Sequence, residues 1–326
     1  MKAIEITQPG GPEVLKPVER PVPEPGPGEV LIKVTAAGVN RPDVFQRMGL
    51  YPAPEGASDI PGLEVSGRVA ALGEGVTEFQ EGEPVCALVT GGGYAEYCVA
   101  PVETCLYLPE GLDEVAAGGV PETFYTVWSN MFDRAELKQD ETLLIHGGTS
   151  GIGTTAIQLA KSYNVTVITT VGSDEKAAFC RDELGADLAI NYKTQDFVAE
   201  TKAFTKDRGV DVVLDMIGGD YVARNIACMA EEGRHVSIAF LGGSKVSLDM
   251  GPVMRKRLVL TGSTLRARDN GFKGAIAGKL RVKVWPLIEQ GMVTAVVDRT
   301  FPLDRAADAH AYLDEGKHRG KVILTL

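Results

Sequence analysis

A strand-like apolar run followed by a glycine-rich turn lies near the middle of the chain, at residues 144–153 (LIHGGTSGIG). Glycines let the backbone turn sharply and approach a pyrophosphate, and the helix beyond offers free N–H groups and the positive end of its dipole. The spacing departs from G-x-G-x-x-G, but the strand–turn–helix context is kept. We predict a phosphate-binding loop rather than a purely structural turn, with cofactor contacts from Thr149, Ser150, Gly151 and Ile152.

The same segment superficially suggests a serine hydrolase, because His146-Gly147-Gly148 is followed by Ser150. The nucleophile elbow of such enzymes requires G-x-S-x-G, and Ile152 occupies the place of its last glycine. We therefore interpret His146 as a packed strand residue and not as a catalytic base.

The end of the next strand indicates which dinucleotide is bound. An acidic residue about 20 residues after the loop would accept the ribose hydroxyls of NAD. Here the strand runs into Gly172-Ser173-Asp174-Glu175-Lys176, so the acid is displaced into the helix. Gly172, Ser173 and Lys176, with Tyr192, are predicted to form a 2′-phosphate pocket, which favours NADPH over NADH. The alternative is a capped helix with solvated charges.

Strands and helices alternate around this loop. Strands are predicted at Thr142–His146, Val165–Thr170, Leu188–Ile190, Val210–Asp215 and His235–Ala239, and helices from Ile152 to Ser162 and from Ser173 to Gly185. Strands separated by helices of this length indicate a doubly wound parallel sheet.

The first third of the chain is rich in strands and turns instead. Strands are predicted at 29–34, 62–70 and 83–88, with one helix from Arg41 to Met48 in which Asp43 and Arg47 are one turn apart and expected to pair. The tail is predicted to hold helices at Lys279–Gln290 and Ala306–Glu315 and a strand at Val322–Leu324.

Composition excludes several classes of protein. The 326 residues carry 33 Lys and Arg against 44 Asp and Glu, a net charge of −11, which disfavours nucleic acid as a partner. We find neither a signal peptide nor a membrane-spanning run. The five cysteines are scattered without a C-x-x-C pair, which argues against disulfides and zinc knuckles and favours the cytoplasm.

Several segments along the chain resemble one family. They are Ala36–Asp43, Gln46–Tyr51, Pro61–Gly67, the glycine loop, Gly172–Lys176 and Leu260–Arg266. Together they resemble the zinc-independent, zeta-crystallin-like quinone oxidoreductases of the medium-chain dehydrogenase/reductase superfamily. The resemblance implies a GroES-like β-rich catalytic domain (1–125 and 266–326), a Rossmann NADPH-binding domain (126–265) and a homodimer formed through the latter.

The zinc ligands of the alcohol dehydrogenases in this superfamily are missing. Asn40 stands at the position that resembles the first cysteine ligand, and Leu63 at the position of the histidine ligand. No close cysteines lie between Cys86 and Cys98 to form a structural zinc lobe. We therefore expect no metal.

The resemblance places Asn40 and Tyr51 at the mouth of the nicotinamide site. An amide and a phenol can hydrogen-bond the acceptor's carbonyl oxygen, and Tyr51 can relay a proton. Alternatively, Tyr51 is a loop anchor that only closes the pocket.

Further cofactor contacts follow from the resemblance. Ile217 and Gly218 end one strand and Phe240, Leu241 and Gly242 end another, at the edge where ligands of such sheets bind. The remaining implied contacts are Asn40, Thr126, Leu265, Arg266 and Lys321. Arg266 and Arg268 are alternatively solvated surface charges.

These features predict an NADPH-dependent quinone reductase that transfers a hydride, or electrons, without a metal. Two alternatives remain open: a reductase of α,β-unsaturated aldehydes or ketones, and an NADPH-binding protein without catalytic function.

Overall fold

The computed structural model describes residues 1–326 and divides into two compact units. Unit 1 comprises Met1–Tyr125 and Leu265–Leu326, and unit 2 comprises Thr126–Thr264. None of the helices combines the length and the apolar composition that crossing a bilayer requires.

The strands, in chain order, are β1 Lys2–Ile6, β2 Leu15–Glu19, β3 Glu29–Val39, β4 Glu64–Leu72, β5 Pro84–Leu88, β6 Tyr97–Pro101, β7 Cys105–Tyr107, β8 Thr142–His146, β9 Thr166–Val171, β10 Leu188–Asn191, β11 Val210–Asp215, β12 Met229–Ser237, β13 Val259–Gly262, β14 Val297–Pro302 and β15 Lys321–Thr325.

The α-helices are α1 Arg41–Arg47, α2 Glu114–Ala117, α3 Pro121–Val127, α4 Gly151–Ser162, α5 Asp174–Asp182, α6 Phe197–Phe204, α7 Asp220–Cys228, α8 Met250–Arg255, α9 Asn270–Lys283, α10 Trp285–Glu289 and α11 Ala306–Asp314. A π-helical segment, Trp128–Arg134, follows α3, and short 3-10 turns lie at Pro12–Val14, Val102–Thr104 and Leu303–Arg305.

Unit 2 is built on a six-stranded sheet in the order β10-β9-β8-β11-β12-β13, with every neighbouring pair parallel. The strand order reverses between β8 and β11, and ligands of such sheets bind outside the carboxyl ends of the strands at this point. The central strands are buried runs, and Leu144, Ile168 and Val213 are fully inaccessible. The predicted doubly wound parallel sheet is confirmed.

Two serines begin the helices that follow β8 and β9. The Ser150 hydroxyl oxygen accepts a hydrogen bond from the Gly153 N–H (3.0 Å) at the start of α4. Ser173 accepts one from the Lys176 N–H (3.3 Å) at the start of α5, so the predicted cap is confirmed. Each cap satisfies one of the N–H groups that a helix start leaves without an intrahelical partner.

Unit 1 contains a seven-stranded sheet in the order β14-β15-β3-β4-β5-β7, with β6 also paired to β3, and a separate β1–β2 pair. The long strand β3 pairs antiparallel with β4, β6 and β15. Because β15 comes from the end of the chain, the carboxyl-terminal segment completes the sheet that the first third begins.

Two predicted element bounds are wrong. The single helix expected at Lys279–Gln290 is instead α9 and α10, with the break at Val284. Asp269 caps α9 through the Phe272 N–H (2.8 Å), and Pro286, which has no N–H, cannot continue a helix from the preceding turn. The strand expected at His235–Ala239 begins earlier, at Met229, and ends at Ser237.

Replacing glycine with alanine is expected to have opposite effects on stability at two helical positions, Gly153 and Gly278. A Cβ atom on Gly153 would lie 2.3 Å from the Gly147 carbonyl oxygen and 2.6 Å from the Gly148 carbonyl carbon, whereas one on Gly278 would meet nothing within 4 Å. We expect Gly153→Ala to lower the free energy of unfolding by about 1–3 kcal/mol, since backbone must move. Gly278→Ala should raise it by about 0.5–1 kcal/mol. Urea denaturation measures both, and a Gly153→Ala variant as stable as the wild type would contradict the account of the loop.

Candidate active site

A buried ion pair lies in unit 1 beside the start of α1. The Lys321 ammonium donates to Glu64 Oε1 (2.6 Å) and to Asn40 Oδ1 (2.6 Å), and Asn40 Nδ2 donates to the same Glu64 oxygen (2.8 Å). The second oxygen of Glu64 accepts the Glu122 N–H (2.8 Å). Each of Asn40, Glu64 and Lys321 is at least nine-tenths buried. The ammonium group therefore bridges the amide and the carboxylate.

This arrangement bears on the roles predicted for Asn40 and Lys321. The second hydrogen of the Asn40 amide is directed to the Gly38 carbonyl oxygen (3.3 Å), so both amide hydrogens have partners inside the protein. Lys321, an expected cofactor contact, is held by Asn40 and Glu64. Asn40 thus fixes the ion pair and has no hydrogen left to donate to an acceptor in this conformation.

The donor set around Asn40 does not suit a zinc ion. An amide, an ammonium group and one carboxylate meet there, and the neighbouring Leu63 is a buried apolar side chain. Zinc in proteins is bound by cysteine, histidine and carboxylate ligands, usually at least three of them. No cluster of three or more such side chains is placed to hold a metal ion in the chain.

The pairing expected between Asp43 and Arg47 is wrong. Asp43 Oδ2 accepts the Asn40 backbone N–H (2.8 Å) and the Tyr94 hydroxyl (3.1 Å), which turns this carboxylate toward the start of α1. Arg47 extends instead to Asp314 (3.1 Å). Burial raises the pKa of Asp43 to about 6.

Tyr51 lies beside a buried arginine. The centre of the Arg266 guanidinium is 5.5 Å from the Tyr51 ring centroid. Arg266 donates to the Thr90 carbonyl oxygen (2.9 Å) and to Gln46 Oε1 (2.8 Å), while its Nη1 is buried without a hydrogen-bond partner. With 7% of its surface exposed, Arg266 is not a solvated surface charge. Burial raises the pKa of the Tyr51 phenol, although Arg266 opposes the rise, so the phenol keeps its proton at neutral pH.

Two more ionisable groups, Glu122 and Lys273, interact with Arg266. The pKa of Glu122, in the first turn of α3, is raised to about 8, first by burial and then by Glu64, so this carboxyl is mostly protonated at pH 7. Lys273 is buried and donates to the Arg266 carbonyl oxygen (2.9 Å). Because Glu122 is mostly uncharged, it does not neutralise the positive charges of Arg266 and Lys273. These charges therefore favour the development of negative charge near Tyr51.

The glycine loop of unit 2 approaches neighbouring atoms so closely that side chains are excluded. A Cβ on Gly148 would lie 2.3 Å from Thr169 Oγ1, and Gly147 has a positive φ of 74°. The Ser150 hydroxyl donates to the Gly147 carbonyl oxygen (2.7 Å), which holds the turn closed. Because the first N–H groups of α4 lack intrahelical partners, Gly151 and Ile152 present donors that fit a pyrophosphate.

The predicted 2′-phosphate residues lie together at the ends of β9 and β10. A Cβ on Gly172 would be 2.9 Å from the Tyr192 hydroxyl and 3.7 Å from Lys193 Cε. Ser173 and Lys176 belong to the same helix start. Lys193 is a further candidate that the sequence analysis did not name, although its place directly after Tyr192, in the turn that follows the strand paired with β9, is a signal that could have found it.

The ends of β11 and β12 also meet. Asp215 Oδ1 accepts the Ile217 N–H (2.7 Å), and the Gly242 N–H donates to the Ile217 carbonyl oxygen (2.6 Å). Phe240 and Leu241 leave 49% and 46% of their surfaces exposed at this edge.

The remaining predicted cofactor contacts are divided between the two units. Thr126 belongs to unit 2, and Leu265 and Arg266 belong to unit 1.

His146 is a packed strand residue, as predicted. It is fully buried and hydrogen-bonded to Thr170 Oγ1 (2.9 Å) and Asn225 Oδ1 (2.8 Å). Burial lowers its pKa, so the imidazole is neutral at pH 7.

Comparisons with known proteins agree with both units. Residues 26–110 match the alcohol dehydrogenase GroES-like domain, and residues 151–278 match the zinc-binding dehydrogenase family. The chain is 32% identical to a quinone oxidoreductase of Rattus norvegicus over 100% of this chain and 98% of that protein. It is 34% identical to one of Pseudomonas aeruginosa over 99% of each chain.

Solved structures agree as well. The Escherichia coli quinone oxidoreductase complexed with NADPH superimposes with a TM-score of 0.89 at 29% identity, covering 100% of both chains. A mycobacterial protein complexed with NADPH has a TM-score of 0.90 at 31% identity, with the same coverage. The chain belongs to the zinc-independent quinone oxidoreductases of the medium-chain dehydrogenase/reductase superfamily.

Removing the Lys321 ammonium tests the buried ion pair. We expect Lys321→Met to lower the free energy of unfolding by about 3–5 kcal/mol, because Glu64 is left charged and buried. The loss should be smaller at pH 5 than at pH 8, because an unpaired buried carboxyl has a raised pKa and its protonated form tolerates burial. Urea denaturation at both pH values measures this.

The matched control is the double variant Glu64→Gln with Lys321→Met, in which no charge is stranded. It should recover most of the lost stability. Equal destabilisation of the single and double variants would contradict the ion-pair account.

Proposed function

We propose that this chain reduces quinones with NADPH, without a metal ion, through the Tyr51–Arg266 pair of unit 1. The observation that carries the assignment of residues is the protonated phenol of Tyr51 beside a buried guanidinium. Family membership supports the reaction, since the relatives are named quinone oxidoreductases and two similar structures are complexes with NADPH.

The cofactor is assigned to unit 2. The loop Thr149–Ile152 and the start of α4 would bind the pyrophosphate, and the 2′-phosphate would meet Gly172, Ser173, Lys176, Tyr192 and Lys193. The exposed edge from Ile217 and Gly218 to Phe240, Leu241 and Gly242 supplies the remaining contacts. When bound, NADPH supplies the hydride.

The residues of unit 1 act on the acceptor oxygen. Reduction of a quinone to a hydroquinone takes a hydride and a proton, and one carbonyl oxygen becomes an oxyanion before it is protonated. Tyr51 donates that proton, and the positive charge of Arg266 stabilises the oxyanion. Asn40 holds Glu64 and Lys321 in place and serves as a positioning residue rather than a donor to the acceptor.

The two alternative functions receive less support. An α,β-unsaturated carbonyl compound would use the same phenol and guanidinium, but the relatives reported above are named for quinones. A non-catalytic NADPH-binding protein would not need a buried arginine beside a protonated phenol.

Substitution of Tyr51 separates proton donation from loop closure. We expect Tyr51→Phe to lower kcat for a quinone about 10- to 100-fold, because general acid catalysis typically contributes 10²–10⁴-fold and solvent replaces part of it. The Kd for NADPH should stay unchanged. Stopped-flow and steady-state absorbance of NADPH measure the rates. Unchanged turnover would mean that Tyr51 only anchors its loop.

Substitution of the lysines tests the 2′-phosphate pocket. We expect Lys176→Ala and Lys193→Ala each to weaken NADPH binding about tenfold while leaving NADH binding unchanged, since each loses a charge-assisted contact. Fluorescence titration measures both dinucleotides, with Lys33→Ala, an exposed lysine of unit 1, as the control. Equal losses for NADPH and NADH would contradict the pocket.

We propose a homodimer formed through the edge strand β13. This strand pairs only with β12, and its Val259 and Leu260 side chains are 51% and 37% exposed. An exposed apolar edge strand tends to pair with another chain. Light scattering should give twice the mass of one chain, and Val259→Lys should halve it; a wild-type monomer would contradict the proposal.

We also propose the cytoplasm as the location of the protein. Its five cysteines are free and buried, which suits a reducing compartment.

A further inference from the structure

A chain of hydrogen bonds with a defined direction leaves α1 at Arg47, passes through His310 of α11 and Tyr94, and returns to α1 at Asp43 in the interior of unit 1. Arg47 Nη1 lies 3.4 Å from His310 Nδ1, and His310 Nε2 lies 3.0 Å from the Tyr94 hydroxyl oxygen. The Tyr94 hydroxyl lies 3.1 Å from Asp43 Oδ2. All four side chains are at least nine-tenths buried, so water does not supply alternative partners.

The chemistry of the groups sets the direction. A guanidinium has only donors, so His310 Nδ1 must accept from Arg47. A neutral imidazole that accepts at Nδ1 carries its hydrogen on Nε2, and it donates to the Tyr94 oxygen. The Tyr94 hydrogen is then directed to Asp43. Burial and Arg47 lower the pKa of His310 to about 3, which keeps the imidazole neutral.

Each end of this chain is connected to further structure. Asp314, which is partly exposed, pairs with Arg47 (3.1 Å) and with Arg41 (2.8 Å) at the outer end. Asp43 accepts the Asn40 N–H (2.8 Å) at the inner end. Asn40 in turn holds Glu64 and Lys321.

Helix α1 lies between the two residues predicted to be catalytic, and each is hydrogen-bonded to it. Asn40 precedes its first residue, and the Tyr51 N–H donates to the Phe45 carbonyl oxygen (3.2 Å) within the helix. The placement of the Tyr51 backbone therefore depends on the placement of α1. A group that fixes Asp43 at the start of α1 therefore affects the positions of both Asn40 and Tyr51.

We propose that Tyr94 and His310 are positioning residues for quinone reduction, which fix α1 through Asp43 and thereby place Asn40 and Tyr51. The proposal rests on the proposed function, in which Tyr51 donates a proton. Neither Tyr94 nor His310 touches the acceptor in this role.

The direction of these hydrogen bonds can be tested without measuring turnover. The protein contains four histidines, so ¹⁵N NMR of histidine-labelled protein resolves them individually. We expect His310 to show the Nε2–H tautomer and no titration between pH 5 and 8, because burial, and after it Arg47 and Arg41, oppose protonation more strongly than Asp314 favours it. An Nδ1–H tautomer, or a titration near pH 6.5, would overturn the proposal.

The positioning role is tested by coupling to Tyr51. We expect Tyr94→Phe to lower kcat for a quinone about 5- to 10-fold in the wild-type background but less than twofold in the Tyr51→Phe background. Equal effects in both backgrounds, or an unchanged kcat, would overturn the proposal, because a purely structural role predicts independent effects.

Two substitutions of His310 form a matched pair. They test the same positioning role, and they can be used even if the Tyr94→Phe variant does not fold. His310→Gln keeps one acceptor and one donor at similar spacing and should retain at least half of kcat, whereas His310→Leu removes both and should lose about tenfold. Equal rates for the two variants would overturn the proposal. A wild-type protein without quinone turnover would instead refute the proposed function, while the NMR result would still stand.

Discussion

The buried pairing of Lys321 with Glu64 is the interaction on which unit 1 depends. An ammonium group and a carboxylate are stable away from water only when their hydrogen-bonding positions are filled. Asn40 and the Glu122 N–H fill positions that the ion pair leaves open. The pair joins β15 to β4 and fixes the residue before α1, so the end of the chain helps to place the proposed catalytic tyrosine.

Unit 2 depends on a different constraint. The backbone of its glycine loop must come close to neighbouring atoms of the protein. Parallel strands bring their carboxyl ends to one edge, and glycines at 148 and 153 let the loop pack closely against β9 and against the start of α4. In unit 1 the proposed chemistry depends on burial of charge, since a desolvated guanidinium and a protonated Glu122 would favour an oxyanion near Tyr51. The proposed function divides the work between the units: one would bind the dinucleotide and the other would act on the acceptor.

Local patterns predicted much of this fold. The strands β8 and β11, the cap at Ser173 and the buried state of His146 all follow from spacing and periodicity, which depend on neighbours in sequence. The partners of Lys321 and Arg47 lie 281 and 267 residues away, so no local pattern reveals them. The expected Asp43–Arg47 pair failed for this reason, since a partner on α11 competes with the one a single turn away.

Steady-state oxidation of NADPH, after exhaustive dialysis against a chelator, tests the central claim most directly. The purified protein is assayed with a para-quinone and with a 2-alkenal at matched concentrations. The account predicts quinone turnover that chelation leaves unchanged and that exceeds alkenal turnover. Loss of activity on chelation with recovery on adding zinc, or faster turnover of the alkenal, would contradict it.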